Sequence, residues 1–136
     1  MKTVIDNGAF IPTKAHEHDA GFDIKSPVDC TVAAGSSAII DTGVHIELPL
    51  GTVGMLKSKS GLNVKHGIVS EGVIDAGYTG SICVKLYNHS SEPYSVKRGD
   101  KITQLVILPY VYTEIEQAGS LEETERGNNG FGSSGR

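Results

Sequence analysis

Several short runs in this chain combine residue types that can do chemistry. The C-terminal run Arg126-Gly127-Asn128-Asn129-Gly130-Phe131-Gly132-Ser133-Ser134-Gly135 has glycines that let backbone N–H groups approach a phosphate. Ser133 and Ser134 add hydroxyl donors and Arg126 a bidentate guanidinium, so the run reads as a phosphate clamp. Phe131, set between Gly130 and Gly132, has no apolar neighbour in sequence, and a flat partner such as a nucleobase can stack on it. A Gly/Ser end without fixed structure is the competing reading. Ser60 stands where a short helix is expected to begin, with Gly61 after it and Lys59 before it. That arrangement suits an anion, and it equally suits ordinary helix capping. Asp75 and Tyr78 fall in Gly72-Val73-Ile74-Asp75-Ala76-Gly77-Tyr78-Thr79-Gly80, which reads as a hairpin tip. As a catalytic group Asp75 would take a proton from a water; as a structural one it is a normal turn former. Asp23, after Ala20-Gly21-Phe22, can hold a metal-bound water near a triphosphate or be a solvated loop acid.

Other patterns are set aside. His16-Glu17-His18-Asp19 puts two histidines on one face of an extended strand, but it lacks the helical His-Glu-x-x-His spacing because position 20 is Ala. Arg98-Gly99-Asp100 imitates an adhesion tripeptide and Asn88-His89-Ser90 a glycosylation acceptor, and both need an exported protein. There is no Gly-x-x-x-x-Gly-Lys-Ser/Thr loop. Cys30 and Cys83 form no Cys-x-x-Cys pair, which argues against a disulfide framework or structural zinc, and both are expected in the core.

The elements that must position these residues are short strands. A chain of 136 residues with 38% hydrophobic and 21% charged residues is one globular domain, and 17 glycines imply many tight turns. Strand-like runs recur at 2–5, 37–40, 44–48, 52–57, 82–87 and 101–108, a cadence expected of an all-β sandwich or barrel. Ile82, Val84 and Leu86 alternate with Cys83, Lys85 and Tyr87, so that strand has one face on a core. Leu105-Val106-Ile107-Leu108 is apolar on both faces and is expected to be buried on both, facing another subunit on one side. One helical turn is expected, capped by Ser60 and ended by Gly67. The expected division is a barrel over residues 1–121 and a mobile arm over 122–136. A net charge of −4 provides no global positive field for nucleic acid or an anionic bilayer, and no apolar run approaches the ~20 residues of a membrane span. Asp6 lies where a signal peptide would be apolar, so the cytoplasm is the expected compartment.

In order along the chain, Ala20-Gly21-Phe22-Asp23-Ile24, Lys59-Ser60-Gly61-Leu62, the run from Gly72 to Gly80, Gly99-Asp100-Lys101-Ile102-Thr103-Gln104-Leu105 and the C-terminal run together resemble the five motifs of the trimeric dUTPases. The resemblance implies an all-β, jelly-roll-like β barrel with one short helix and a mobile C-terminal arm, assembled as a homotrimer with active sites shared between subunits. It implies hydrolysis of dUTP to dUMP and pyrophosphate with Mg²⁺, which limits uracil incorporation into DNA and supplies dUMP for dTMP synthesis. By the same resemblance Asp75 is the general base and Asp23 reaches the metal through water. Tyr78 packs on the deoxyribose, and the backbone around Gly80, Ser81 and Ile82 reads uracil. Lys59, Ser60, Gly61 and Gln104 contact phosphate, Arg126 clamps the γ-phosphate, Phe131 stacks on the base, and Gly132, Ser133 and Ser134 complete the clamp.

The chain departs from the family pattern in four places, two of them mild: Phe22 for Tyr and Ser134 for Thr. Lys59 stands where most members have Arg, a charge without the planar fork. Val69-Ser70-Glu71 lacks the Asn that many members carry before the catalytic Asp. Two other functions compete with hydrolysis of dUTP. A dCTP deaminase shares the barrel but has an Arg-Ser-Ser motif with a catalytic Glu, not seen in this chain. A trimeric binding protein would use dUTP only as a ligand that orders its tail.

Overall fold

The computed structural model describes residues 1–130. Its strands are β1 (Thr3–Ile5), β2 (Gly21–Lys25), β3 (Cys30–Val32), β4 (Ser37–Asp41), β5 (Val44–Ile46), β6 (Thr52–Lys57), β7 (Ile68–Asp75), β8 (Cys83–Asn88), β9 (Tyr94–Val96) and β10 (Lys101–Pro109), with α1 (Ser60–His66) between β6 and β7. The largest sheet has the order β2-β10-β6-β7-β8-β4, and the pairs β1-β5 and β3-β9 complete a jelly-roll-like barrel. All pairs are antiparallel. Alternation decides which side chains enter the core: on β8, Val84, Leu86 and Asn88 point in while Cys83 and Tyr87 face out. Ile24, Val32, Val44, Leu56 and Leu105 from other strands meet them there. Each such apolar side chain contributes roughly 1.5–3 kcal/mol by leaving water.

Several expectations need correction. Cys83 is exposed and Cys30 only half-buried, because the alternation of β8 turns Cys83 outward. Residues 72–75 belong to the strand β7 and not to a loop. Residues 16–19 form a turn closed by the Asp19 carboxylate on the His16 N–H (2.9 Å), not an extended strand. Leu105 is fully buried, but Val106 and Ile107 are only half-buried and Leu108 is 46% exposed, so β10 has one open face in the single chain. Regular structure ends at Pro109, and residues 110–130 are exposed. Asn88, in the apparent glycosylation triplet, is a core residue whose amide donates to the carbonyls of Val32 (3.0 Å) and Glu92 (2.8 Å).

The helix differs in one detail. Lys59, with φ −71° and ψ 126°, occupies the N-cap without a side-chain cap bond, and Ser60 is the first helical residue. Gly67 ends the helix in the left-handed region (φ 65°), where its N–H reaches back to Asn63 and Leu62. No residue of α1 is fully buried; Leu62 packs part-buried against the core, and the strands at either end place the rest. A ladder of hydroxyls fixes that junction. The Ser58 hydroxyl donates to the Ser70 carbonyl (3.1 Å) and accepts from the Ser70 N–H (2.9 Å); Ser70 and Thr103 share a hydroxyl bond (2.8 Å); and Thr103 donates to the Lys57 carbonyl (3.1 Å). Ser70 and Thr103 are buried, so neither hydroxyl has water as an alternative partner. Replacing Thr103 by Val keeps the shape and strands the Ser70 hydroxyl; a chemical denaturation curve is expected to show a loss of about 2 kcal/mol.

Candidate functional site

The site residues anticipated from sequence gather at two ends of one sheet. At the first end, Asp23 of β2, Gln104 of β10 and Lys57 of β6 stand in register across the strands. Asp23 is only 4% exposed, and its carboxylate is held by two ammonium groups, Lys59 and Lys101, the latter at 2.7 Å. Burial pushes the Asp23 carboxyl up, but the hydrogen bonds and charges of Lys101 and Lys59 outweigh it and hold the carboxyl below the usual range. The stabilisation is therefore present above the unfolded value near 3.9 and is lost as pH falls through the lower folded one. One carboxylate between two lysines leaves a local charge of +1 in a chain of net charge −4, so this corner can attract an anion.

Around that corner the groups differ in what they have free. Gln104 donates its side-chain amide to the Ser58 carbonyl (3.2 Å), which spends one N–H on holding the loop into α1. The Ser60 hydroxyl makes no hydrogen bond among the described residues. Gly61 does not have positive φ, and a Cβ there would meet nothing within 4 Å. The fold does not require a glycine at this position, whereas a ligand approaching the backbone closely would.

At the second end, Asp75 closes β7 opposite Val53 of β6, and the Ala76-Gly77 turn brings the Tyr78 N–H onto the Asp75 carbonyl (3.1 Å). Val73, Ile74, Asp75, Tyr78, Ser81 and Cys83 line a cavity. The Tyr78 hydroxyl donates to the Ser81 carbonyl (3.0 Å), and the ring lies so close to Gly80 that a Cβ there would collide with it. Gly80 is thus required by the placement of Tyr78. Ile82 differs from expectation. Its N–H donates to the Val44 carbonyl (2.9 Å) and its carbonyl accepts from the Thr42 N–H (3.1 Å) and hydroxyl (2.7 Å), so its backbone has nothing left to read a base. Its role is to anchor the loop. The Gly80 N–H and carbonyl and the Ser81 N–H make no hydrogen bond among the described residues, which leaves them available to a base edge.

The two ends do not meet within one chain. Lys57, in register with Gln104, and Val53, in register with Asp75, are four residues apart on β6, about 13 Å at 3.3 Å per residue. Arg126 is exposed, its Nε donating to the Asn129 carbonyl (3.1 Å), and it joins neither end. Phe131, Gly132, Ser133 and Ser134 lie outside the described residues. Among those described, no group of three or more His, Cys, Asp or Glu side chains can hold a metal ion. Two of the roughly four lone-pair positions on the Asp23 carboxylate are engaged by lysines, which leaves two able to accept from a water bound to a magnesium ion.

Sequence reasoning missed Lys101, the Ser58–Ser70–Thr103 ladder, Asp41 and His45. Lys101 lies within the run Gly99 to Leu105, and only the β2–β10 register brings it to Asp23. The Asp41 carboxylate accepts from the Ser81 hydroxyl and the Gly43 N–H, which hold it below the usual carboxylate range.

Ammonium groups at one end of a barrel, and an aromatic wall beside open backbone groups at the other, are the parts of a nucleotide-binding protein. Residues 7–135 match the dUTPase family model. The chain is similar to the deoxyuridine 5'-triphosphate nucleotidohydrolases of Clostridium acetobutylicum (42% identity, covering 96% of this chain and 92% of that protein) and Candida albicans (44%, covering 93% and 81%). Its fold is similar to that of the dUTPase of Staphylococcus bacteriophage 80alpha with dUPNHPP (TM-score 0.91, 31% identity, 99% of this chain and 98% of that one). It is also similar to a mutant dUTPase from phage phi11 of S. aureus, described with a structural Mg(II) ion (TM-score 0.81, 29% identity, 90% and 98%). The chain belongs to the dUTPase family.

Because the fold leaves room at Gly61, Gly61→Ala is expected to keep or raise stability, with up to about 1 kcal/mol gained in helix propensity. It should at the same time weaken nucleotide binding. Calorimetry and a binding titration on the same preparation check both; unchanged affinity would remove Gly61 from the site.

Proposed function

We propose that this chain hydrolyses dUTP to dUMP and pyrophosphate, with Asp75 as general base. The observation that carries the reading is the place of Asp75: a carboxylate at the end of β7, on the wall of a cavity it shares with Tyr78 and Ser81. The Asp75 carboxylate takes a proton from a water whose oxygen attacks the α-phosphorus in line. The bond from that phosphorus to the bridging oxygen of the β-phosphate breaks, and pyrophosphate leaves. Lys59 and Lys101, with the Ser60 hydroxyl and the backbone at Gly61, bind and orient the triphosphate, and catalysis is positioning with charge neutralisation. Gln104 holds the Ser58 carbonyl and presents its remaining N–H to phosphate. Tyr78 packs on the deoxyribose and excludes a 2′-hydroxyl, while the backbone of Gly80 and Ser81 reads the uracil edge. Cytosine is refused because its amino donor would face a donor, leaving buried polar groups unpaired. Magnesium, when bound, neutralises charge on the phosphates; Asp23 would hold it through water.

The distance between the two ends of the sheet supports an active site built across subunits of a homotrimer, the lysine corner of one chain facing the Asp75 loop of another. The open face of β10 at Leu108, in register with Val53 and so with Asp75, supports a subunit contact beside that loop. Residues 122–136 serve as the arm that brings Arg126 and Phe131 to a neighbour's site, with Gly132, Ser133 and Ser134 on its phosphates. No helix among the described residues is long and apolar enough to cross a membrane.

A pyrophosphate-release assay across dUTP, dCTP, dTTP and UTP, with and without Mg²⁺, tests the reaction, and ammonia from dCTP would point instead to a deaminase. Asp75→Asn is expected to bind a non-cleavable dUTP analogue while kcat falls by about 10³-fold, the scale of a lost general base. Turnover within a few-fold of wild type would remove Asp75 from that role. Ending the chain before Arg126 is expected to abolish most turnover and leave the trimer intact by light scattering.

A further inference from the structure

The loop that carries Tyr78 is not held by its own two strands. β7 and β8 pair only through Ile68, Val69 and Ser70. Beyond that point β7 follows β6 and β8 follows β4, so residues 76–82 bridge two diverging strands. The contacts that hold this bridge come from residues 41–45. Ile82 is fixed by Thr42 and Val44, and the Ser81 hydroxyl by Asp41; both act at the far end of the loop. Among the described residues, only His45 reaches Thr79, the residue next to Tyr78: its Nδ1 is 2.8 Å from the Thr79 carbonyl oxygen. A carbonyl can only accept, so Nδ1 carries the hydrogen. The other ring nitrogen, Nε2, faces the Asp6 carboxylate at 3.4 Å, and Asp6 is itself fixed by its N–H on the Gly43 carbonyl (2.9 Å). The imidazole side chain is 27% exposed, so it is neither a core group nor a solvated one.

We propose that His45 is a positioning residue for nucleotide selection: by donating to the Thr79 carbonyl, with Asp6 steadying the ring from behind, it fixes the turn that aims Tyr78 at the sugar. This rests on the reading that the 75–82 loop receives the deoxynucleoside. The charged and titratable groups around the ring are Asp6 after β1, Asp41 at the end of β4, and Lys2 and Glu47, which pair with each other at 3.2 Å. The Thr79 carbonyl first, then the Asp6 carboxylate, raise the His45 pKa above its ordinary value against a smaller opposing effect of burial. The brace is therefore complete below the ordinary value near 6.5, and it loses its Asp6 anchor as pH rises through the higher folded value.

The test uses the full chain, with kcat and KM for dUTP and for UTP measured from pH 6 to 9 at fixed Mg²⁺. His45→Ala is expected to raise the KM for dUTP about tenfold, with kcat within about threefold, and to narrow the preference for dUTP over UTP. In the wild type that preference should decline as pH passes the His45 pKa. His45→Gln keeps an N–H donor for Thr79 but cannot titrate, so its preference should be flat over the same range, and this variant decides the matter if the alanine variant fails to fold. Asp6→Asn should move the wild-type inflection to lower pH. Variants that keep the wild-type preference and its pH course, in a chain that does hydrolyse dUTP, overturn the role of His45. A wild-type chain that releases no pyrophosphate from dUTP overturns instead the functional reading beneath it.

Discussion

The pairing of β6 governs where everything else stands. This strand is hydrogen-bonded on both edges, to β10 and to β7, and its residues from Val53 to Lys57 carry both registers. Through Lys57 it fixes the row that contains Asp23, Gln104 and Glu71; through Val53 it fixes the row that contains Asp75 and Leu108. Because side chains alternate with period two, a slip of one residue would turn Leu56 out of the core and Lys57 into it. The apolar burial of β6 thus enforces the register, and the register sets the spacing of the lysine corner from the Asp75 loop. Core packing and site geometry are one constraint, not two.

Electrostatics follows from that geometry. A chain of net charge −4 would repel a triphosphate at long range, so attraction has to be local. The barrel places a buried acid between two lysines that both reach solvent, so the acid orders the ammonium groups while their charge exceeds its own. Lys57 does not add to this excess, since Glu71 pairs with it at 3.0 Å on the neighbouring strand. At position 59 the ammonium is a point charge that Asp23 orients, whereas a guanidinium would carry its own planar geometry.

Much of this was legible from residue order. The strands with clean apolar patterns, β6, β8 and β10, were visible, as was the single helix with its Gly67 terminus. The strand β7 was not, because Ser70, Glu71 and Gly72 interrupt its apolar pattern; Ser70 is buried with Ser58 and Thr103 supplying its hydrogen bonds from distant positions. The short strands β3 and β9 have three residues each and little pattern of their own. For the site, the motifs located Asp23, Lys59 and Asp75, but not their partners. Lys101 and His45 act through contacts that exist only once the sheet is paired, 78 residues from Asp23 and 34 from Thr79, and no local spacing encodes them. Ile82 was misread for the same reason: its backbone is claimed by β5 and Thr42.

The chain beyond Pro109 points to what a single barrel lacks. Tyr112, Ile115 and Leu121 are almost wholly exposed, on a segment without helix or strand. Leaving such side chains in water forfeits roughly 1.5–3 kcal/mol each relative to burial, so a surface that covers them gains that much in return. The barrel's own core is already closed by Leu105 and its neighbours and has no place for them. The open face of β10, where Ile107 is half-buried and Leu108 half-exposed, is an apolar surface of the same kind. The apolar side chains beyond Pro109 and the open face of β10 are surfaces that the proposed trimer would cover, and its neighbouring chains would close the distance between the two halves of the site. Selectivity would then rest on the loop between β7 and β8, and its rigidity on the few contacts from residues 41–45.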